Sequence, residues 1–108
     1  MILSMMLALA TPSKAPVVVS SLTTTMLVEQ CRGKDNDATA NFCTGYILGA
    51  FDTLSVSRQI CPSPGRASNI EVVAVTRKYL RKNAGKKDVA PSFLVRDALR
   101  AAFPCKRR

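Results

Sequence analysis

Apolar residues recur along this chain at spacings of three and four, with no convincing alternation at two, so the pattern predicts helices and no strands. The first helix is expected from about Thr23 to Cys31, with Leu22, Met26 and Leu27 on one side and Gly33 just beyond as a stop. The second covers about Asp37 to Ser57. There Cys43, Ile47, Ala50 and Leu54 form one stripe at i, i+4, i+7 and i+11, flanked by Phe42, Tyr46 and Gly49. Asp37 is the expected N-cap, because a carboxylate at that position accepts from the free amides of the first turn. Gly45 and Gly49 lie one turn apart. Each weakens a helix but lets another backbone approach, which predicts tight packing at that strip.

The prolines of Cys61-Pro62-Ser63-Pro64-Gly65 remove donors and restrict the residues before them, so the chain turns there. Ser68-Asn69-Ile70-Glu71 has the S-x-x-E form of a capping box and marks the start of a third helix. Ile70, Val73, Arg77 and Leu80 share one face of it, with Val72, Thr76 and Tyr79 alongside. Arg77, Lys78, Arg81 and Lys82 place cations near its carboxyl end, where the helix dipole favours them. A polar loop over Asn83–Lys87 follows, and Asp88 with Pro91 suits the start of a fourth helix. Leu94, Val95, Ala98, Leu99, Ala102 and Phe103 supply its buried stripe, and Pro104 ends it. The expected fold is all-α: a small bundle of about four helices.

Short connections make successive helices antiparallel, so the second and fourth should run the same way with their carboxyl ends together. Cys61 and Cys105 lie just past those ends. Cys31 closes the first helix, and Cys43 lies in the opening turns of the second, within reach across a short hairpin. The topology therefore favours Cys31 with Cys43 and Cys61 with Cys105 among the three possible pairings. In the loop-entropy picture these bridges contribute roughly 3 and 4 kcal/mol, less any native strain.

Composition strengthens the disulfide reading. A chain of 108 residues holds one domain with a small core, so crosslinks matter to it. An even set of four cysteines fits a disulfide framework and an oxidising compartment. Zinc is the competing reading. It is disfavoured because the cysteine intervals contain no close C-x2-C or C-x4-C pair and the chain has no histidine. No metal and no cofactor is expected. Residues 1–22 read as a signal sequence, though without a positive n-region, or else as a disordered N-terminal segment; residues 23–108 form the helical domain. Neither apolar stretch within 1–22 is long enough to be an integral membrane span.

The net charge of +9 is uneven: residues 77–108 carry eleven Lys/Arg against Asp88 and Asp97, whereas earlier charges balance. Without histidine, Ser-His and Cys-His nucleophile pairs and H-E-x-x-H zinc sites are excluded, and no phosphate-binding glycine loop is present. Asp35 and Asp37 are the nearest thing to a catalytic carboxylate pair, and a helix cap is the simpler role for them. Enzyme is therefore the weakest class.

The string Phe42-Cys43-Thr44-Gly45-Tyr46-Ile47-Leu48-Gly49, the step Cys61-Pro62 and the ending Ala102-Phe103-Pro104-Cys105 resemble the Rap/Tai family, immunity proteins against type VI secretion amidase effectors. The likeness also takes in Met26-Leu27 through Cys31, Val72-Val73, Lys78-Tyr79-Leu80 and Leu94-Val95, which is most of the chain beyond residue 24. It implies a small periplasmic helical protein, often a homodimer, that plugs the active-site groove of a peptidoglycan amidase. The family's plug lies near the third and fourth helices, which places the partner-binding candidates at Asn83, Ala84, Gly85, Lys86 and Lys87. Two other readings compete. One is an orphan basic envelope-associated module whose cations contact anionic polymers or lipid headgroups. The other is nucleic-acid binding, which the charge invites but the disulfides and the expected core placement of Phe42, Phe51, Phe93 and Phe103 oppose.

Overall fold

A computed structural model describes residues 16–106, and the greater part of the leader reading over 1–22 lies outside them. Among the described residues there are four α-helices and no strand: α1 Thr24–Gln30, α2 Phe42–Val56, α3 Asn69–Lys82 and α4 Pro91–Ala102. A 3-10 turn at Pro64–Arg66 fills the step between α2 and α3. None of these helices is long and apolar enough to cross a membrane. Both disulfides join as the topology argument predicts, Cys31 to Cys43 and Cys61 to Cys105.

α3 and α4 pack most extensively, α2 lies against both, and α1 closes one end against α2 and α3. Their common core contains Leu27, Ile47, Val72, Val73, Leu80, Leu94, Val95 and Leu99. The edges of the predicted stripes do not all reach it. Ile70, in the first turn of α3, is 53% exposed. Ala102, in the last turn of α4, is also exposed, while Phe103 beyond it turns back and packs edge-on against Phe51.

α2 and α4 run in the same direction. Near their amino ends Tyr46 and Ser92 line one groove. Near their carboxyl ends Arg100 Nη2 donates to Gln59 Oε1 at 2.8 Å and the Cys61 amide donates to Phe103 O at 2.9 Å. The Cys61–Cys105 bridge fastens that end.

Three helix starts show how local chemistry sets the boundaries. Thr23 caps α1 by accepting from the Met26 amide, as a β-hydroxyl at the N-cap should. For α2 the cap is Asn41, whose Oδ1 accepts from the Thr44 amide at 2.9 Å. Asp37 instead accepts from the amide and the hydroxyl of Thr39, forming a turn that precedes the helix. An aspartate bonded to its own neighbour two residues on is not available as a cap, so α2 begins later than Asp37. For α3 the capping serine behaves as predicted, accepting from the Glu71 amide at 3.2 Å. The reciprocal half differs, because the Ser68 hydroxyl donates to the Glu71 carboxylate. α4 has no side-chain cap; Pro91 at its first position needs none for its own nitrogen, and Asp88 lies upstream in the loop.

α2 ends in a Schellman arrangement: the Gln59 amide reaches Leu54 O at 2.9 Å, the Arg58 amide reaches Ser55 O at 3.1 Å, and Arg58 takes φ 59°. That left-handed position is usually glycine, so no sequence signal marked it.

Candidate functional site

The chain after α3 cannot continue as helix once Asn83 caps it. The Asn83 amide donates to Leu80 O and Tyr79 O, and its side-chain Nδ2 donates to Tyr79 O at 2.8 Å. Two tight turns follow, with the Lys86 amide on Asn83 O at 3.0 Å and the Lys87 amide on Gly85 O at 2.9 Å. The loop is then tied to the body by Thr24, a buried residue of α1 whose hydroxyl donates to Val89 O. Within the five candidate residues the work divides. Asn83 and Ala84 are half-buried and shape the loop, whereas Gly85, Lys86 and Lys87 are exposed. The loop thus presents two ammonium groups from a backbone held at both ends.

Its cations have neighbours. Lys78, Arg81 and Lys82 are exposed on the second half of α3, and the connection between α1 and α2 carries Arg32 and Lys34. That connection is clamped onto α3 by two arginines. Arg81 grips Asp35 through both guanidinium nitrogens, the second at 3.0 Å to Oδ2. This contact holds the Asp35 carboxyl below the usual carboxylate range, with Arg81 as the first cause, and raises Arg81 in turn. Asp37 is also lowered, chiefly by its hydrogen bonds from Thr39. Asp35 therefore serves as an ion-pair partner through both its oxygens, and Asp37 as a turn former through Oδ1.

The second clamp is Arg77. It is only 3% exposed, and its Nη1 donates to Lys34 O at 2.9 Å and to Arg32 O at 3.4 Å. Gly33 makes room for it. Its φ of 122° lies in the region that favours glycine, and a Cβ there would sit 3.2 Å from Arg77 Nη1. Arg77 lies on the stripe that the spacing predicts and is buried with it, whereas Lys78, Arg81 and Lys82 stay exposed. The signal was present in the spacing, since Val73, Arg77 and Leu80 fall on one stripe and the flanking two are core residues.

A second surface feature departs from expectation. At Gly45 and Gly49 an added Cβ would meet nothing within 4 Å, so the strip is open and not pressed against another helix of this chain. It forms part of a groove of about 700 Å³ between α2 and α4, lined also by Tyr46, Ala50, Ser92 and Phe93. Burial pushes the Tyr46 hydroxyl up in pKa. Phe42 is 50% exposed and stacks on Tyr46 at 6.0 Å between centroids, so it is not the core residue its place in a helix suggested. Among the described residues no group of acidic, cysteine or histidine side chains is arranged to hold a metal.

Together these features define a class: a disulfide-stapled, all-helical module with a tethered basic loop that continues the exposed cations of the helix leading into it. A profile described as Rap1a immunity proteins matches residues 23–105, and the chain belongs to that family. Membership implies binding to a cognate effector. No curated protein and no solved structure matches the chain.

Proposed function

We propose that this protein acts in the periplasm as an immunity protein that binds and blocks a peptidoglycan amidase effector of a type VI secretion system. The tethered basic loop carries the reading. Its backbone is already ordered before any partner arrives, so docking costs little further conformational entropy. Gly85 leaves the tip narrow, and Lys86 and Lys87 supply charge that steers encounter with an acidic groove. Inhibition in this reading is steric, with Asn83 and Ala84 holding the shape and Gly85–Lys87 entering the partner. The protein itself performs no chemistry. Two disulfides in a chain this small suit an oxidising compartment.

The test is to purify the oxidised chain as bait against the secreted and envelope proteins of its own cell at about 0.15 M salt, where loose charge contacts are screened. Capture of a cell-wall amidase and stoichiometric inhibition of its cleavage of peptidoglycan is the expected result. The double change Lys86→Glu with Lys87→Glu should weaken inhibition by on the order of tenfold or more, mostly through slower association. Retention only of anionic polymers or lipid vesicles, with steep salt dependence and no stoichiometry, would favour the envelope-module reading instead.

A further inference from the structure

We infer that the cleft between the α1–α2 connection and the second half of α3 is a carboxylate-binding site, with Arg77 as its buried floor. The cleft has a volume of about 220 Å³ and is walled by Arg32, Arg77 and Arg81 on its polar side and by Val28, Cys31 and Leu80 on its apolar side.

The argument starts from the donors of Arg77. A guanidinium carries five N–H groups and a fixed positive charge, and burial of both is costly unless they are answered. In this structure Nη1 is answered by two backbone carbonyls, Arg32 O and Lys34 O. Nε is buried and has no hydrogen-bond partner. Among the described residues the ion pairs are Arg32–Glu29, Arg81–Asp35 and Arg96–Asp97, so no carboxylate of the described chain pairs with Arg77. Carbonyl dipoles compensate a cation less completely than an anion does.

The two arginines beside it are suited to help. Arg32 and Arg81 have side chains 75% and 59% exposed; Arg32 is held by the exposed Glu29 and Arg81 by the half-buried Asp35. The single-point Arg32–Glu29 pair is weak and can exchange for another acceptor, and the free face of the Arg81 guanidinium can add one. An incoming carboxylate therefore finds one buried, immobile guanidinium and two solvent-exposed ones around a partly apolar cleft. Arginine is the residue suited to that geometry, since its planar fork matches the two oxygens of a carboxylate. The ligand is a carboxylate, supplied by an acidic side chain, a chain terminus or a free acid. The site stands apart from the Gly85–Lys87 tip and does not depend on which effector the protein meets.

The test uses the full oxidised chain labelled with 15N, titrated with sodium acetate at an ionic strength held constant with chloride. Saturating shifts of the Arg77 Nε–H and of the Gly33 and Lys34 amides are expected. Comparison of N-acetyl-aspartate amide with N-acetyl-alanine then tells a side-chain carboxylate from a terminal one by which binds more tightly. The variant Arg32→Gln with Arg81→Gln leaves the buried arginine in place and should weaken binding by on the order of tenfold, the scale of one charge-assisted contact. Arg77→Lys keeps the charge but loses the fork and should also lose saturation; its fold is checked by circular dichroism. Shifts that stay linear in acetate, or an unchanged Kd in the Arg32→Gln, Arg81→Gln variant, would overturn the site.

Discussion

Asp35 and Arg81 show what a single exposed pair does and does not contribute. The pair depresses the Asp35 carboxyl, so its stabilisation is present above the unfolded pKa of about 3.9 and is lost as pH falls through the lower folded value. Both groups are open to solvent, and the gain in global stability is accordingly slight. The sensitive readout is the carboxyl itself. A carbon-detected titration should place Asp35 below its model-peptide midpoint, and Arg81→Gln should move it back up. An Asp35 midpoint unmoved by that change would mean that Arg81 is not its main partner in solution. Neighbouring Arg77 teaches the opposite lesson. Its charge is hidden, its bonds go to carbonyls, and its consequence is the shape of the α1–α2 connection. Its burial was legible in the Val73, Arg77, Leu80 spacing once the cation is allowed to sit on an apolar stripe, because a long side chain can span to distant carbonyls.

At the level of helices, boundaries followed cap chemistry, and that explains both what the sequence disclosed and what it hid. Ser68 three residues before Glu71 fixed the start of α3, and the cysteines at the helix ends fixed their own pairing by topology. Asp37 misled because two acceptors, Asp37 and Asn41, precede the same helix, and only the competing turn with Thr39 decides between them. Asn41→Ala should cost about 1 kcal/mol in chemical denaturation through loss of the α2 cap. Asp37→Ala should leave α2 intact and cost less; equal losses would argue that both residues cap. The glycine strip misled in a different way. A small-residue face in sequence says that a backbone can come close, and not which one does. With open space at both positions, Gly45→Ala and Gly49→Ala should each stabilise the isolated chain by roughly 0.5–1 kcal/mol through helix propensity. Thermal unfolding checks this. A destabilised variant would show that the strip is covered in solution, and sedimentation of the same samples would identify a second copy as the cover. The loop could be placed from sequence, but its tether to Thr24, sixty-five residues away along the chain, could not.

Over the whole molecule, the two bridges differ in how solvent meets them. Cys43 is fully buried and Cys31 nearly so, whereas Cys61 and Cys105 are both exposed. Mild thiol should therefore open Cys61–Cys105 first, and partial alkylation with peptide mapping would show it. The loop-entropy model assigns that bridge roughly 4 kcal/mol against roughly 3 for the inner one, so the singly reduced protein should lose the larger share of its denaturant resistance. Reduction of the inner pair first would mean that local opening, and not static exposure, governs access. The bridges also have an order. The first cysteine joins the second and the third joins the fourth, so the two covalent rings follow one another without crossing. A chain threaded amino end first past an oxidant can thus close each ring from the cysteines most recently delivered. Delivery in that order would favour the native connectivity, because each native partner is the next cysteine to arrive after its mate.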